Sequence, residues 1–196
     1  MRILYLTEER ISFSDAMVRG GAIHVQKVVQ GLRDRGHDVT LLDWNGEPER
    51  SFQCSVDPTL RQIEGPLRTV SRAITVGERT DIDVIVSKTR KTYIPGLLAA
   101  RRLGIPHVVH VGSSPNPPAS SLRARLDSLS FTSRLRAPHD GYFVVCDHVG
   151  EELQALGVED RSIYTVGNAV DTERFSPESV PVPLDAGFRD RITTSE

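Results

Sequence analysis

The sequence has few cysteines and few aromatic residues, and its charges nearly balance. Two cysteines among 196 residues exclude a small disulfide-held scaffold. A formal net charge of −2 gives no electrostatic basis for binding nucleic acid. No apolar run approaches the roughly 18 residues of a membrane span, and the N-terminus turns acidic too soon for a signal peptide. We therefore expect a soluble, cytoplasmic protein, for which peripheral membrane contact stays open.

The motifs of several enzyme classes are absent as well. The sequence contains no H-x-x-x-H or C-x-x-C spacing, no P-loop and no G-x-S-x-G elbow. It also lacks G-x-G-x-x-G, and the loop from Glu8 to Gly21 is too long for the tight turn of a dinucleotide site. Asp43, at the end of the second predicted strand, is the one residue placed for ribose binding. We predict no metal and no cofactor, and a nicotinamide or flavin enzyme is the least favoured alternative.

Short apolar runs alternate with amphipathic segments along most of the chain. Strands are predicted at 2–7, 38–44, 81–87, 106–111, 141–146 and 162–167, with a short additional one considered at 51–56. Helices are predicted at 22–35, 66–79, 92–104 and 147–156, and a basic amphipathic helix follows the loop 112–121. This order predicts a doubly wound, mostly parallel Rossmann-like α/β sheet with helices on both faces. We place that domain at 1–177 and treat 178–196 as a linker, a hinge or the start of a further domain.

Ligands of such sheets bind at the carboxyl ends of the strands, and a glycine pair lies near the first of these ends. Arg19, Gly20 and Gly21 precede the first predicted helix, whose leading amides have no internal partners. Glycines there let a phosphate approach the backbone. A simple turn into the helix explains the same residues, so both interpretations stay open.

A basic cluster follows the strand 81–87. Lys88, Arg90 and Lys91 stand between that strand and the next helix, where cations neutralise phosphate or pyrophosphate. A solvated charged loop is the alternative. Changing all three to alanine tests the choice, because a binding role predicts weaker anion binding with a flatter salt dependence.

Three histidines are candidates for the same edge of the sheet. His107 and His110 share one strand, where side chains alternate, so they point to opposite faces. His110 is nearer the carboxyl end and is the better site candidate, and His24 in the first helical turn is placed to face the same cleft. A buried histidine satisfied by hydrogen bonds is the alternative for His110. Asp147 is placed to cap the helix 147–156.

Several segments, in this order, resemble the N-terminal half of GT-B-fold glycosyltransferases, in particular the retaining family 4 group. RGGAIHVQKVVQGLRDRGHDVTLL resembles that group's glycine-rich loop, first helix and second strand. DIDVIVSKTRKTYIPGLLAARRLGIPHVVHV resembles its central strand–helix–strand unit. FVVCDHVGEELQALGV, followed by IYTVGNAVDTERFSP, resembles its closing segment. The resemblance covers residues 1 to 177.

The resemblance implies a cleft between two Rossmann-like domains, the N-terminal one holding mainly the acceptor. It implies transfer from a nucleotide-sugar co-substrate with retention and without a catalytic metal. The implied roles are the donor-phosphate loop for Arg19, Gly20, Gly21 and His24, acceptor binding for Lys88, Arg90, Lys91, Gly112 and Ser113, catalysis for His110, and the hinge for Asn168 and Asp171.

Departures from the family pattern qualify these roles. At the position where the family usually has its active-site histidine, this sequence has Gly112, two residues after His110. Ala169 stands where the family usually has a glycine. The tail after residue 177 is too short for a donor domain. We therefore expect the acceptor-binding half of a glycosyltransferase, inactive without a donor domain supplied in cis or in trans. A non-catalytic Rossmann-like binding or regulatory module is the alternative, and the sequence identifies neither sugar nor acceptor.

Overall fold

The computed structural model describes residues 1–9, 20–42, 58–115 and 121–168, with the backbone alone for 58–64. Its strands are β1 (Arg2–Leu6), β2 (Asp38–Leu42), β3 (Val84–Ser87), β4 (His107–Val111), β5 (Gly141–Val144) and β6 (Ile163–Thr165). Its helices are α1 (Gly20–Asp34), α2 (Pro58–Thr80), α3 (Tyr93–Leu103), α4 (Leu122–Leu135) and α5 (Asp147–Ala155), and a 3-10 turn (Asp160–Ser162) precedes β6.

These strands form one parallel sheet in the order β2-β1-β3-β4-β5-β6. From β1 the chain moves outward to β2, crosses back to β3 and continues to β6. Because all these strands are parallel, their carboxyl ends lie along one edge of the sheet. Strands buried on both faces read as continuous apolar runs, and every residue of β3 is buried. The predicted doubly wound parallel sheet is confirmed.

Helices cover both faces of this sheet. Alternation along β1 sends Tyr5 to the face covered by α1 and Leu4 to the face covered by α2 and α3. Ile85 lies on the same face as Leu4, and its partner in the sheet is His107. Val109 is two residues beyond His107 and therefore points to that face as well, where it packs in a cluster with α4 and α5. Each large apolar side chain that is fully buried in these clusters stabilises the fold by about 1.5–3 kcal/mol.

The boundaries of α1 differ slightly from the predicted 22–35. The helix begins at Gly20, so both glycines of the pair belong to its first turn instead of preceding it. Ala22, Val25 and Val29 recur at the helical period and are buried. Gly36 follows the helix with a φ of 81°, a left-handed conformation that favours glycine.

The start of α2 is the largest difference. The helix begins at Pro58, so Pro66 lies inside it and the predicted start of this helix at residue 66 is wrong. Proline removes one amide donor from a helix. The second half of α2 compensates by burying Ala73 with the apolar side chains of β1 and α3. The strand considered at 51–56 and the tail 178–196 lie outside the described residues.

The predicted cap of α5 is also wrong. The N-cap is Cys146, and Asp147 is the first helical residue. The Asp147 carboxylate instead accepts a hydrogen bond from the Thr165 hydroxyl at 2.8 Å, and thereby ties the start of α5 to β6.

Candidate functional site

A cleft of about 910 Å³ opens at the carboxyl edge of the sheet, beside β3 and β4. The segment between β3 and α3, part of α2, the outer part of α3 and the inner side of α4 form its walls. This edge is where doubly wound folds bind their ligands. The cleft brings together the residues that were predicted to bind an acceptor, namely Lys88, Arg90, Lys91, Gly112 and Ser113.

The lining of the cleft combines cations with apolar side chains. Its cationic residues are Lys88, Arg90, Lys91 and Arg134. Its apolar residues include Pro66, Leu67, Val70, Ile94 and Leu98. Leu67 and Leu98 are 67% and 53% exposed, which leaves apolar surface open to the cleft. The cleft therefore suits a ligand that has both an anionic group and an apolar part.

Arg90 is held in place by α4. Its guanidinium lies 3.9 Å from the centre of the Phe131 ring, and its Nη1 lies 3.9 Å from Oδ2 of Asp127. The Arg134 Nη1 donates a hydrogen bond to the Arg90 carbonyl at 3.1 Å. Ion pairs between exposed groups contribute little stability, so these contacts orient Arg90 without strongly neutralising it.

Lys91 and Lys88 differ in their surroundings. Lys91 Nζ lies 4.0 Å from Glu8 Oε1, and its side chain is 55% exposed at the mouth of the cleft. Burial lowers the pKa of Lys88 to about 8, against the opposing effect of the nearby Glu9 carboxylate. Lys88 is therefore the inner cation of the cleft and Lys91 an outer one.

His24 and His110 meet on the α1 side of the strand ends. Their ring centroids lie 4.8 Å apart, and His110 is only 4% exposed. The Nε2 atoms of both rings are buried, and neither has a hydrogen-bond partner within the described part of the chain. A ligand oxygen at this position would satisfy nitrogens that otherwise lack a partner.

Both histidines of this pair are neutral at physiological pH. Burial, followed by the charges of Lys88 and His24, lowers the pKa of His110 to about 3. Burial and the Lys88 charge also lower the pKa of His24. Each ring therefore acts as a hydrogen-bonding group near neutral pH, since imidazolium would add a charge beside Lys88.

Tyr5 favours one tautomer of His110. The Tyr5 hydroxyl lies 3.5 Å from His110 Nδ1, a long hydrogen bond. Burial raises the pKa of Tyr5 far above its usual value, so the phenol keeps its proton and can donate it. A hydroxyl that donates to Nδ1 leaves the imidazole proton on Nε2. His110 then presents an N–H donor towards the site.

The glycine pair has two different environments. Among the described residues, a Cβ added at Gly20 would have no neighbour within 4 Å, whereas one at Gly21 would lie 2.5 Å from Oε1 of Glu9. The Glu9 carboxylate thus rests against the first turn of α1, where helix amides attract negative charge. Gly21, and not Gly20, allows this close approach.

A second histidine cluster lies on the other face of the sheet, and the sequence analysis missed it. His107 Nε2 lies 2.9 Å from Ser87 Oγ, and His107 Nδ1 lies 2.9 Å from His139 Nδ1. His139 Nε2 in turn donates to the Arg134 carbonyl at 2.8 Å. His107 and His110 thus point to opposite faces, as predicted, and the network on the His107 side links β3 and β4 to the end of α4.

The structure locates one of the remaining predicted residues. Arg19 and Asp171 lie outside the described residues, and Asn168 is exposed beyond β6. Among the described residues, no group of three or more His, Cys, Asp or Glu side chains is arranged to hold a metal ion. Over the same residues, no helix combines the length and apolarity needed to cross a membrane.

The sheet and its edge cleft have the architecture of one half of the GT-B-fold glycosyltransferases and epimerases. A lipopolysaccharide outer core galactosyltransferase, WaaB, superposes with a TM-score of 0.59 at 13% identity, over 87% of this chain and 46% of that one. The UDP-GlcNAc 2-epimerase of Methanocaldococcus jannaschii, in complex with UDP-GlcNAc and UDP, superposes with a TM-score of 0.60 at 14% identity, over 86% of this chain and 47% of the epimerase. Anabaena HepE in complex with UDP-glucose superposes with a TM-score of 0.58 at 15% identity, over 88% of this chain and 45% of HepE.

The chain belongs to Glycosyltransferase Family 4, whose model matches residues 18–174. The predicted resemblance to this family is therefore confirmed. The identities to the solved structures are low enough that those structures show the fold alone.

Two curated relatives are UDP-N-acetylglucosamine–N-acetylmuramyl-(pentapeptide) pyrophosphoryl-undecaprenol N-acetylglucosamine transferases. That of Streptomyces avermitilis is 36% identical over 78 residues, which is 39% of this chain and 20% of the relative. That of Streptomyces collinus is 29% identical over 109 residues, which is 55% of this chain and 27% of the relative. The matches thus cover about a quarter or less of each relative.

Proposed function

We propose that residues 1–177 are the acceptor-binding domain of a retaining glycosyltransferase that uses a nucleotide-sugar donor. In this proposal the transfer needs a second, donor-binding domain, supplied in cis or in trans. The diphosphate that leaves the sugar develops charge, and stabilising it requires donors from both walls of a closed cleft. The described residues form only one of these walls.

The observation that carries the proposal is the composition of the cleft. Lys88, Arg90 and Lys91 meet at the carboxyl edge of the sheet with an open apolar surface at Leu67 and Leu98. Cations placed this way bind phosphate groups through charge-assisted hydrogen bonds. The curated relatives are named for an acceptor that joins a pyrophosphoryl group to undecaprenol. We propose an acceptor of the same chemical kind, an anionic head on an apolar chain.

The histidine pair supports a place for the donor sugar beside this cleft. His110 offers a neutral Nε2–H, and the buried Nε2 atoms of His24 and His110 have no hydrogen-bond partner among the residues that the structure describes. In the proposal, Gly20 lets the donor phosphates approach α1, since the Glu9 carboxylate occupies the space beside Gly21, and His110 donates to a sugar oxygen. Structural neighbours crystallised with UDP-sugars are consistent with donors of this class. In this mechanism the described residues supply hydrogen bonds and positive charge, and no step requires a metal.

Gly112 favours a second candidate, a non-catalytic binding module. This residue stands where the resemblance places the family's active-site histidine. A relative that had lost its chemistry would still bind a ligand in the cleft. Both candidates predict that a ligand binds in the cleft, and only the glycosyltransferase candidate predicts sugar transfer.

Farnesyl pyrophosphate is a suitable probe for the cleft, because it joins a pyrophosphate to an apolar chain. Replacing Lys88, Arg90 and Lys91 together by alanine should weaken its binding to the chain at least about tenfold and flatten the salt dependence. Replacing the exposed arginines 35, 79 and 102, which lie away from the cleft, removes the same charge and should leave affinity nearly unchanged. Isothermal titration at two salt concentrations measures both effects. Equal affinities for the two triple variants would show that the cluster is only a solvated loop.

A further inference from the structure

Glu8 lies at the point where the strand order of the sheet reverses. The chain runs from β1 to β2 in one direction along the sheet and from β3 to β6 in the other, and Glu8 follows β1 at this reversal. Doubly wound sheets bind ligands in the crevice between two such strands. The Glu8 amide donates a hydrogen bond to the Thr89 hydroxyl at 3.0 Å, which fixes the end of β1 against the segment after β3. Glu8 therefore lines the cleft together with Lys88 and Lys91.

The protein leaves part of the Glu8 carboxylate without a hydrogen-bond donor. Its Oε2 is buried and has no partner among the side chains that the structure describes. Lys91 Nζ lies 4.0 Å from Oε1, which is longer than a hydrogen bond. A buried acceptor without a donor is unfavourable. Because the Glu8 side chain is 32% exposed and lines the cleft, a ligand bound there can supply the missing donor.

The charges of the cleft identify the kind of donor that fits. Its described lining contains four cations against the two carboxylates of Glu8 and Asp127. Asp127 already faces Arg90, so the cleft keeps an excess of positive charge and disfavours a cationic ligand group. A hydroxyl supplies a proton for the hydrogen bond without adding positive charge. The combination therefore suits a phosphate on the cations and a neutral hydroxyl on Glu8.

We propose that Glu8 is a specificity-determining residue that accepts a hydrogen bond from a hydroxyl of the acceptor's head group. The acceptor then has three parts. An apolar chain lies against Leu67 and Leu98, a phosphate or pyrophosphate lies on the cations, and a hydroxyl-bearing group such as a sugar is esterified to that phosphate. This inference rests on the proposed function for the anionic head and the apolar chain, and adds the hydroxyl.

Two pyrophosphate diesters of farnesol test the role of Glu8. One carries glucose and the other cyclohexanol, so the probes share their charge, their chain and a six-membered ring, and differ in hydroxyls. Glu8→Ala should weaken binding of the glucosyl diester about tenfold, because it removes a charged hydrogen-bond acceptor. The cyclohexyl diester should bind this variant at least as tightly as it binds the unchanged chain, because a negative charge near the phosphate is lost. Isothermal titration of the full chain measures both affinities.

Two further variants separate hydrogen bonding from a general loss of charge. Glu8→Gln keeps an acceptor oxygen without the charge, so it should recover part of the affinity for the glucosyl diester that Glu8→Ala loses. Glu151→Ala removes a carboxylate that is 74% exposed on α5, away from the described lining of the cleft, and should leave both affinities unchanged. Each Glu8 variant should unfold at nearly the urea concentration of the unchanged chain, because an ion pair with an exposed lysine adds little stability.

Two results would overturn the role of Glu8. One is a Glu8→Ala variant that binds the glucosyl diester as tightly as the unchanged chain does, and the other is an equal loss of affinity for both diesters. If binding still depended on Lys88, Arg90 and Lys91, the proposed function of the cleft would stand without this inference. If neither diester bound the unchanged chain, the proposed acceptor class and the role of Glu8 would both be wrong. The titrations contain no nucleotide sugar, so a failure of sugar transfer would leave the result for Glu8 unaffected.

Discussion

Gly96 is the position where the structure predicts the largest effect of adding a single methyl group. A Cβ there would overlap Ser87 Oγ and lie 2.6 Å from His107 Nε2, so it would fall on the buried hydrogen bond that joins these residues. Overpacking costs about 1–3 kcal/mol, and breaking a buried hydrogen bond costs about 1–3 kcal/mol more. The better helix propensity of alanine offsets about 1 kcal/mol. We therefore expect Gly96→Ala to lower the free energy of unfolding by about 1–5 kcal/mol, with about 3 kcal/mol as the central value.

Urea unfolding followed by circular dichroism measures this loss. Gly20→Ala is the matched control, because it adds the same methyl to a helix at a point where no described residue lies within 4 Å. The control should change stability by no more than about 1 kcal/mol. Ser87→Ala should make Gly96→Ala less costly, because it removes one of the two atoms that the new methyl meets. If Gly96→Ala unfolds at the same urea concentration as Gly20→Ala, the packing described around His107 is incorrect.

Three further predictions concern the histidines and the glycine pair. Burial lowers the pKa of His107 from 6.5 to about 3, so between these pH values the imidazole is protonated in the unfolded chain and neutral in the folded one. The free energy of unfolding should therefore fall as the pH drops from 6.5 towards 3. His107→Gln should make this pH dependence weaker, as measured by urea unfolding at a series of pH values. Tyr5→Phe should shift the proton of His110 away from Nε2, as measured by the nitrogen chemical shifts of that ring, and unchanged shifts would contradict the hydrogen bond. Gly21→Ala should displace the Glu9 carboxylate and leave stability nearly unchanged; a loss of more than about 1 kcal/mol in urea unfolding would contradict this.

The sheet was predictable because its strands are buried on both faces. Residues 84–87 form an unbroken apolar run that ends in a buried serine, and such a run excludes the period of a surface helix. The start of α2 was not predictable in the same way. The preference of proline for the first turn of a helix depends only on neighbouring residues, and it predicts a helix that begins at Pro66. The packing of Ala73 against β1 and α3 depends on residues that are distant in the chain.

The candidate site was predictable only as a location. Lys88, Arg90 and Lys91 belong to one segment that follows a strand, which places them at the edge of the sheet where doubly wound folds bind ligands. The sequence could not show that Phe131 orients Arg90, or that Lys88 is the inner cation, since these differences come from α4 and from burial.

The His107 network was missed for a related reason. Its partner His139 is 32 residues away, in a segment with no motif of its own. One sequence signal was available: a histidine within a buried strand needs a polar partner. The small residue Gly96, which leaves room for that partner, becomes meaningful only once α3 is packed on the sheet.

We propose that this domain supplies one wall of a sugar-transfer cleft. The most direct test is release of UDP or GDP from nucleotide sugars, with an isoprenyl pyrophosphate as acceptor. The assay compares the chain alone with the chain joined to the donor-binding domain of a family 4 relative. We expect no turnover by the chain alone. The joined protein should turn over, and replacing Lys88, Arg90 and Lys91 by alanine should abolish that turnover. Turnover by the chain alone would contradict this proposal, as would joined-protein activity that does not depend on these cations.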